Sequence, residues 1–454
     1  MLALLRRPAV LGVGLFLLAF LPRIVYVFAV LGYPGDRYGT EMERAAFNIV
    51  REGTLGNVYP APTGPSAHVA PLYAYWLAFW FTIFGTQTFA GWCAQAVLAV
   101  TVTSVGIALL PTLARRLQLS ESAGTVAAVL LALAPVNLEI ECRGNWEQPY
   151  TALLLLALLF CFVRLHEKAW QPLALVLGVG LLVGLGVLLS PIILPAVAIM
   201  VVAELAHAAG RRWQMLGRVG MLAAVVMLCI APWTLRNYRV LGGWVPVRSN
   251  FGLELACGNN PLANGKTNVT HDASPAVPKP AHPYTSPAAL ARLRELGELA
   301  YMKERQGEAI AWIAAHPTRF AELTLLRMQY YWFPSADIFP PGATRIDLKL
   351  AFFALTSLGC FGWLAYVFWR GWPYRWIVLA LTLGPSISYL ITHVDLRYRY
   401  PTFVLSAFFT CQLLASAVPG GWPIPWLSSW WQRSVLLHGR ALPRARQLPP
   451  DPAS

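Results

Sequence analysis

The chain has 454 residues, of which 57% are hydrophobic and only 12% are charged, about half the charged fraction of an ordinary soluble domain. This composition excludes a disordered chain, a collagen-like chain and an ordinary cytosolic enzyme. Together with a mean hydropathy of +0.53 it indicates a polytopic membrane protein. The net charge of +14 is typical of cytoplasmic flanks between membrane spans rather than of nucleic-acid binding.

The hydrophobic pattern predicts an all-α fold with about ten transmembrane helices, each of which needs about 20 apolar residues. They lie near 9–31, 88–112, 121–138, 148–165, 172–189, 191–208, 219–235, 349–369, 376–393 and 401–418. Ser190-Pro191 separates two of them and predicts a turn. Segment 71–85 is apolar but short, and its tyrosines and tryptophans favour an interfacial or re-entrant helix.

Basic clusters set the predicted orientation of these spans. Arg6 and Arg7 precede the first span, which places the N-terminus on the cytoplasmic side. The later basic clusters, at 115–116, 164–168, 211–218, 370–375 and 433–446, then fall on the same side. We therefore expect a multi-pass protein of the cytoplasmic membrane with both termini inside and its chemistry on the outer face.

The span pattern divides the chain into four regions. They are an N-terminal transmembrane module 1–235 with the first outer loop 32–87, an extracytoplasmic loop domain 236–348, C-terminal transmembrane helices 349–418 and a basic cytoplasmic tail 419–454. In the first outer loop, Thr40 as N-cap and Gly53 as the stop predict a helix between them.

Within 236–348, two helices are predicted. Ser286-Pro287 is the preferred order for a helix start, and that helix is expected to run to about Ala315. His316-Pro317 breaks it, and a second helix is expected near 318–333.

Charged side chains collect in the outer segments. Glu41 and Arg44 are three residues apart and share one helix face. Segment 393–400 brings Arg397 and Arg399 to a membrane surface, where two arginines at i and i+2 could hold a phosphate. The structural alternatives are a surface ion pair for the first and lipid-headgroup anchoring for the second.

Other features have similarly open interpretations. Arg23 lies within the first span, where an ionisable group indicates a functional site or snorkels to the interface. The outer cysteines Cys142 and Cys257 could form a disulfide, and Asn268-Val269-Thr270 matches a glycosylation sequon.

Four stretches occur in an order that is characteristic of one family. They are EMERAAFNIVREG, APLYAYWLAFWFTIFG, APWTLRNYRVLGGWVPVRSNFGLELACGNNP and RYRYP. In these stretches the chain resembles the GT-C superfamily of membrane glycosyltransferases, in particular aminoarabinose transferases and protein O-mannosyltransferases. The resemblance implies an inverting transfer of a sugar from a polyprenyl-phosphate donor at the outer membrane interface.

The resemblance also implies roles for particular residues. The first outer loop of the family usually carries an aspartate as general base, and the matching residue here is Glu41. Arg44 matches an arginine that helps to hold the phosphate. Glu147, or alternatively Glu139 or Glu141, corresponds to a further acid in a later loop of the O-mannosyltransferases.

One position departs from the family pattern. A lysine that contacts the phosphate in aminoarabinose transferases is replaced by Ala70. His68, Arg37 or the pair Arg397 and Arg399 could substitute for it, and His393 is a further candidate for the phosphate site.

We therefore predict a glycosyltransferase whose partners are a polyprenyl-phosphate-linked sugar, an acceptor of unknown type and membrane lipids, with no nucleic acid. No cofactor is predicted. A divalent metal is possible but not indicated, because no DxD-type carboxylate cluster occurs. The alternatives are a transporter or flippase of lipids or oligosaccharides, and a polymerase that uses lipid-linked chains.

Overall fold

In a computed structural model, residues 8–35, 39–134, 136–208, 210–267, 282–339 and 343–417 are described. Three predicted features lie outside these ranges: Arg37, the sequon at Asn268 and the basic tail. Within the described residues the backbone is helical, and extended pairing is confined to two isolated bridges.

The described ranges contain eighteen α-helices. They are α1 Pro8–Tyr26, α2 Glu41–Glu52, α3 Pro71–Phe84, α4 Phe89–Arg116, α5 Glu121–Leu133, α6 Leu138–Arg143, α7 Gln148–Glu167, α8 Leu173–Leu189, α9 Leu194–His207, α10 Arg212–Leu241, α11 Phe251–Gly258, α12 Pro287–Leu296, α13 Glu298–Ala315, α14 Pro317–Trp332, α15 Ile346–Trp369, α16 Arg375–Leu383, α17 Ile387–Ile391 and α18 Leu396–Ala417.

The predicted all-α polytopic fold is confirmed. Among the described residues, six helices are long and apolar enough to cross a membrane: α1 extended to Leu31, α4, α7, α10, α15 and α18. The other four predicted spans correspond to shorter apolar helices, namely α5, α8, α9 with its 3₁₀ start, and α16 with α17. The predicted turn at Ser190-Pro191 is present as a 3₁₀ turn between α8 and α9.

Helix boundaries follow local sequence signals. The capping box of Thr40 and Glu43 starts α2, and Gly53, with φ of +71°, ends it as predicted. The single helix expected over 286–315 is instead two helices, because Gly297 has φ of +78° and breaks the ladder between α12 and α13. The predicted break at His316-Pro317 is confirmed.

Two hydrophobic clusters organise the packing. The larger one fills the bundle between α4, α5, α7, α8, α9, α15, α16 and α18. The smaller one lies at the end of the bundle where α2 and α3 pack against α11, α12 and α13. α3 has 14 residues and is about 21 Å long, which is shorter than the hydrocarbon core. Its interfacial placement stays a prediction.

Two of the alternatives that the sequence left open are not realised in the structure. Arg23 does not snorkel, because its side chain is fully buried within the bundle. Cys142 and Cys257 are buried free cysteines and form no disulfide.

Candidate active site

A cavity of about 470 Å³ opens at the end of the bundle that carries the smaller cluster, a size typical of small-molecule sites. We call it the site cavity. Its walls come from the start of α2, from α6 and the residues after it, from α11, and from the segment that leads into α18. Its polar lining is Thr40, Glu41, Glu139, Arg143, Asn145, Gln148, Glu254, Thr267, His282, Tyr284, His393, Asp395, Arg397 and Tyr398.

Glu41 and His68 form an ion pair beside this cavity. Nε2 of His68 lies 3.6 Å from Oε2 of Glu41, and its Nδ1 lies 3.0 Å from the hydroxyl of Tyr59. Burial raises the pKa of the Glu41 carboxyl, but the positive charge of the adjacent His68, with smaller contributions from His282 and Arg397, outweighs burial and lowers that pKa to about 2. Glu41 is therefore ionised at neutral pH.

The segment that carries His68 is anchored from two directions. The side chain of Ser66 accepts the backbone N–H of His68 at 3.0 Å, and Nε of Arg248 donates to its carbonyl at 3.0 Å. Burial lowers the pKa of His68, but the neighbouring Glu41 carboxylate raises it to a greater extent. The Glu41 carboxylate therefore favours the charged form of the imidazole.

A second carboxylate–imidazole pair lies across the cavity. Nε2 of His393 is 3.4 Å from Oε2 of Glu254, and Asn250 donates to the other carboxylate oxygen at 2.7 Å. His282 lies near both pairs. Burial lowers its pKa, and the negative charges of Glu41 and Glu254 oppose this shift. Glu254 and His282 were missed by sequence reasoning, and the histidines in the outer segments are the signal that could have identified His282.

The two arginines of the RYRYP motif point in different directions. Arg397 lines the cavity, and its guanidinium lies 4.0 Å from the ring centre of Trp146. Arg399 is buried inside the bundle, where it donates to Thr402 at 2.8 Å and lies 4.3 Å from the ring of Trp332. Both belong to α18, and residues two apart on a helix face about 200° apart. They do not converge on one ligand.

Three other predicted residues are placed around the cavity rather than in it. His68 contacts the cavity through Glu41. Arg44 donates from Nε to the carbonyl of Gly39 at 2.9 Å and so supports the turn into α2. Glu147 is the buried N-cap of α7. Burial raises the pKa of Glu147, opposed by the charges of Arg248 and Arg397.

The wall formed by α6 is held by Arg23. The Arg23 guanidinium donates to Glu141 at 3.0 Å, to Ala132 O at 3.0 Å and to Leu131 O at 2.9 Å. It thereby satisfies two carbonyls at the end of α5 and fixes α6, whose residues Glu139 and Arg143 line the cavity. Arg23 is a positioning residue.

The turn after α6 depends on Gly144. Its φ is +63°, and a Cβ there would lie 2.5 Å from the carbonyl oxygen of Gln95. The hydroxyl of Tyr73 donates to the Gly144 carbonyl. This close approach brings Asn145 and Trp146 to the cavity wall.

A group of metal-ligating types is present. Ligand atoms of Glu41, His68 and His282 lie within 4.8 Å of one another, and these residue types suit zinc. Nδ1 of His282 accepts the N–H of Tyr284 at 3.1 Å, so its Nε2 is the nitrogen left for a ligand. A metal ion there would have to replace the proton that His68 holds against Glu41.

Part of the chain matches a known protein family. Residues 68–235 match a family model described as dolichyl-phosphate-mannose-protein mannosyltransferase. No curated protein matches the sequence.

Three solved structures from Archaeoglobus fulgidus have a similar fold. The oligosaccharyltransferase AglB in complex with an inhibitory peptide and a dolichol-phosphate is 16% identical, with a TM-score of 0.52, over 94% of this chain and 54% of that chain. The apo oligosaccharyltransferase is 16% identical, with a TM-score of 0.54, over 96% and 52%. The complex with Zn and sulfate is 14% identical, with a TM-score of 0.50, over 95% and 51%.

The chain spans about half the length of the oligosaccharyltransferases that it matches. The family model bears out the resemblance to the O-mannosyltransferases over residues 68–235, and the solved structures show a similar fold. Together with the apolar helices, these matches support a multi-pass membrane protein.

Proposed function

We propose that the protein transfers a sugar from a polyprenyl-phosphate donor to an acceptor hydroxyl in the site cavity, on the outer face of the cytoplasmic membrane and with inversion. The observation that carries this proposal is the ionised carboxylate of Glu41 in a cavity that also holds the guanidinium of Arg397. An anionic base and a cation across one cavity suit an acceptor that loses a proton and a leaving group that gains negative charge.

The proposed reaction is a single displacement. The acceptor oxygen bonds to the anomeric carbon while the bond from that carbon to the phosphate oxygen breaks. The acceptor proton passes to the Glu41 carboxylate, which is ionised before the reaction. The electron pair leaves with the polyprenyl phosphate, whose charge Arg397 stabilises.

Arg397 is prepared for this role by its neighbours. Oδ1 of Asp395 accepts the backbone N–H of Arg397 at 3.0 Å, which fixes the start of α18. The ring of Trp146 packs on the guanidinium, and Nε of Arg397 is buried with no hydrogen-bond partner among the described residues. The guanidinium as a whole lines the cavity, and its other N–H groups can donate to a phosphate oxygen.

A metal is not required in this scheme. If a divalent ion were bound, Glu41, His68 and His282 would hold it, and it would supply positive charge for the leaving phosphate. We propose that the protonated His68 and Arg397 provide that charge instead.

The outer segment 236–348 is proposed to recognise the part of the acceptor that lies outside the site cavity. Glu254 of α11, which belongs to this segment, lines the site cavity. A second cavity of about 390 Å³ in the same segment is lined by Asn260, Arg305 and Trp312.

A transporter or flippase would need ionisable groups along a path through the bundle. In this protein, two arginines inside the bundle are instead bound by neighbouring groups. Arg23 is bound by backbone carbonyls and Glu141, and Arg399 is bound by side-chain hydroxyls. This arrangement favours a site at one end of the bundle.

The test uses the purified full chain and a panel of radiolabelled polyprenyl-phosphate sugars, with release of polyprenyl phosphate as the readout. Glu41→Gln is expected to lower the rate by about 10²–10⁴-fold. Glu322→Gln, which alters an exposed carboxylate paired with Arg319, is the matched control and should retain full activity. Release from wild type that is unchanged in Glu41→Gln would remove Glu41 as the base. No release from any donor would contradict the transferase proposal and favour the transporter.

A further inference from the structure

A second polar cavity, of about 170 Å³, lies at the other end of the bundle, and we call it the basic cavity. It is lined by His166, Ala169, Trp170, Glu204, His207, Ala208, Arg211, Gln214, Met215 and Arg218. These residues come from the end of α7, the end of α9 and the start of α10.

The two cavities are separated by one membrane thickness. α7 begins at the site cavity, where Gln148 is a lining residue, and ends beside His166 in the basic cavity. Its 20 residues span about 30 Å, which equals the thickness of the hydrocarbon core of a bilayer. The basic cavity therefore lies at the opposite membrane surface from the site cavity.

The charge of the basic cavity is positive. The carboxylate of Glu204 in this cavity already has two partners. Nδ1 of His166 lies 2.7 Å from one oxygen, and Nε1 of Trp170 donates to the other at 3.3 Å. Arg211 and Arg218 form no ion pair with any described residue, and Arg218 donates from Nη1 to the sulfur of Met221 at 4.0 Å. Two guanidinium groups thus face this cavity without a counter-charge.

The surroundings are those of a lipid headgroup region. Trp213 is 87% exposed and Leu216 is 45% exposed on the first turns of α10. An exposed tryptophan beside arginines at the end of an apolar helix is typical of the membrane–water interface. Basic pockets between helices at the cytoplasmic surface bind anionic lipid headgroups.

We propose that the basic cavity binds the headgroup phosphate of an anionic phospholipid from the inner leaflet, with Arg211 and Arg218 as its ligands. The guanidinium groups donate paired hydrogen bonds to phosphate oxygens, and the acyl chains lie along the apolar surface of α10. This site is independent of the proposed transferase activity, because the two cavities share no residue.

The test measures binding of phosphatidylglycerol to the full chain by native mass spectrometry from detergent. Each arginine near the surface contributes about 1 kcal/mol, so the double variant Arg211→Gln/Arg218→Gln should bind roughly 30-fold more weakly. The charge-preserving variant Arg211→Lys/Arg218→Lys should retain most of the binding. The matched control is Arg164→Gln, which removes a guanidinium at the same end that is already paired with Glu167, and its binding should equal wild type.

Three results would overturn the proposal. One is equal phosphatidylglycerol binding by wild type and the Gln double variant. Another is binding of phosphatidylcholine as tight as that of phosphatidylglycerol, because the site would then not select an anionic headgroup. The third is displacement of the lipid by inorganic phosphate at equal concentration, which would indicate a small-anion site. A double variant with an unchanged thermal unfolding midpoint shows that lost binding is not lost folding.

Discussion

The two walls of the site cavity carry the same pair of residue types, but the pKa of the histidine is shifted in opposite directions. On the α2 wall, His68 is paired with Glu41 and has a raised pKa. On the α11 wall, His393 is paired with Glu254 at a similar distance, yet its pKa is lowered. Burial favours the neutral imidazole in both cases.

The neighbours of each imidazole account for the difference. His68 has its second nitrogen at hydrogen-bond distance from Tyr59, and the Glu41 carboxylate outweighs the effect of burial. His393 is close to the positive charges of Arg397 and Arg327, which add to the effect of burial. The surroundings thus favour the charged imidazole on one wall and the neutral imidazole on the other, and only the first pair is expected to serve the reaction directly.

The largest expected effect comes from exchanging the carboxylates one at a time. Glu41→Gln should lower the turnover number by about 10²–10⁴-fold because the base is lost, whereas Glu254→Gln should lower it by about tenfold or less. Steady-state release of polyprenyl phosphate measures both. Equal losses in the two variants would show that the walls do not differ in role.

The next expected effect is a loss of folding stability when Arg23, which supports the α6 wall, is replaced. Arg23→Met leaves the buried Glu141 without its cation, which costs about 3–5 kcal/mol. The thermal unfolding midpoint of the full chain in detergent should fall accordingly. The double variant Arg23→Met/Glu141→Leu removes both charges and should recover much of the loss, and no recovery would contradict the ion-pair explanation.

Arg397 is expected to act on the donor rather than on stability. Arg397→Ala should raise KM for the polyprenyl-phosphate sugar and lower kcat, with a combined loss of about 10–100-fold, because a charge-assisted hydrogen bond contributes about 1.5–3 kcal/mol. Arg143→Ala is the comparison, since Arg143 also lines the cavity but is half-exposed and paired with Glu139. Its loss should be below tenfold, and the reverse order would assign the phosphate to Arg143.

The two imidazoles should give pH dependences of opposite sign. The stabilisation from His68 is fully present below pH 6.5 and is lost as the pH rises through its raised pKa. The pKa of His393 is lowered in the folded state, so its contribution makes stability rise with pH towards 6.5, as the unfolded state releases its extra proton.

Unfolding midpoints of His68→Gln and His393→Gln, each compared with wild type between pH 5 and 9, measure these dependences. On the acid side, the contribution of Glu41 should fall between pH 4.5 and about 2. Parallel pH profiles for the two histidine variants would contradict the assigned charge states.

The smallest expected effect is that of metal removal. Dialysis against EDTA should leave the release rate unchanged, because we propose that protonated His68, rather than a metal ion, supplies the positive charge beside Glu41. Elemental analysis of the purified protein checks this directly. A rate that falls with EDTA and returns with zinc would assign Glu41, His68 and His282 as metal ligands.

Much of the architecture was predictable from local sequence. Spans follow from runs of apolar residues, and every predicted span is an apolar helix in the structure. The start of α2 follows from the capping box of Thr40 and Glu43, and this places Glu41 in the first turn of the helix. The break at Gly297 was missed because a single glycine is tolerated in many helical patterns.

The composition of the site was less predictable. Glu41, His393 and Arg397 of the predicted residues line the cavity, but Arg44 lies on the turn beside it and Arg399 lies in the bundle. The expectation for the arginine pair assumed an extended segment. In the structure α18 begins at Leu396, so helical geometry separates the two side chains.

The sequence by itself determined the membrane class, the helices and the position of Glu41, because composition, periodicity and capping act over a few residues. Tertiary structure alone decided which distant groups meet Glu41. His68 and His282 are separated by 214 positions yet lie together, and Arg23 is joined to Glu141 across the bundle. Such contacts depend on how whole helices pack, and the charge state of each imidazole depends in turn on those contacts.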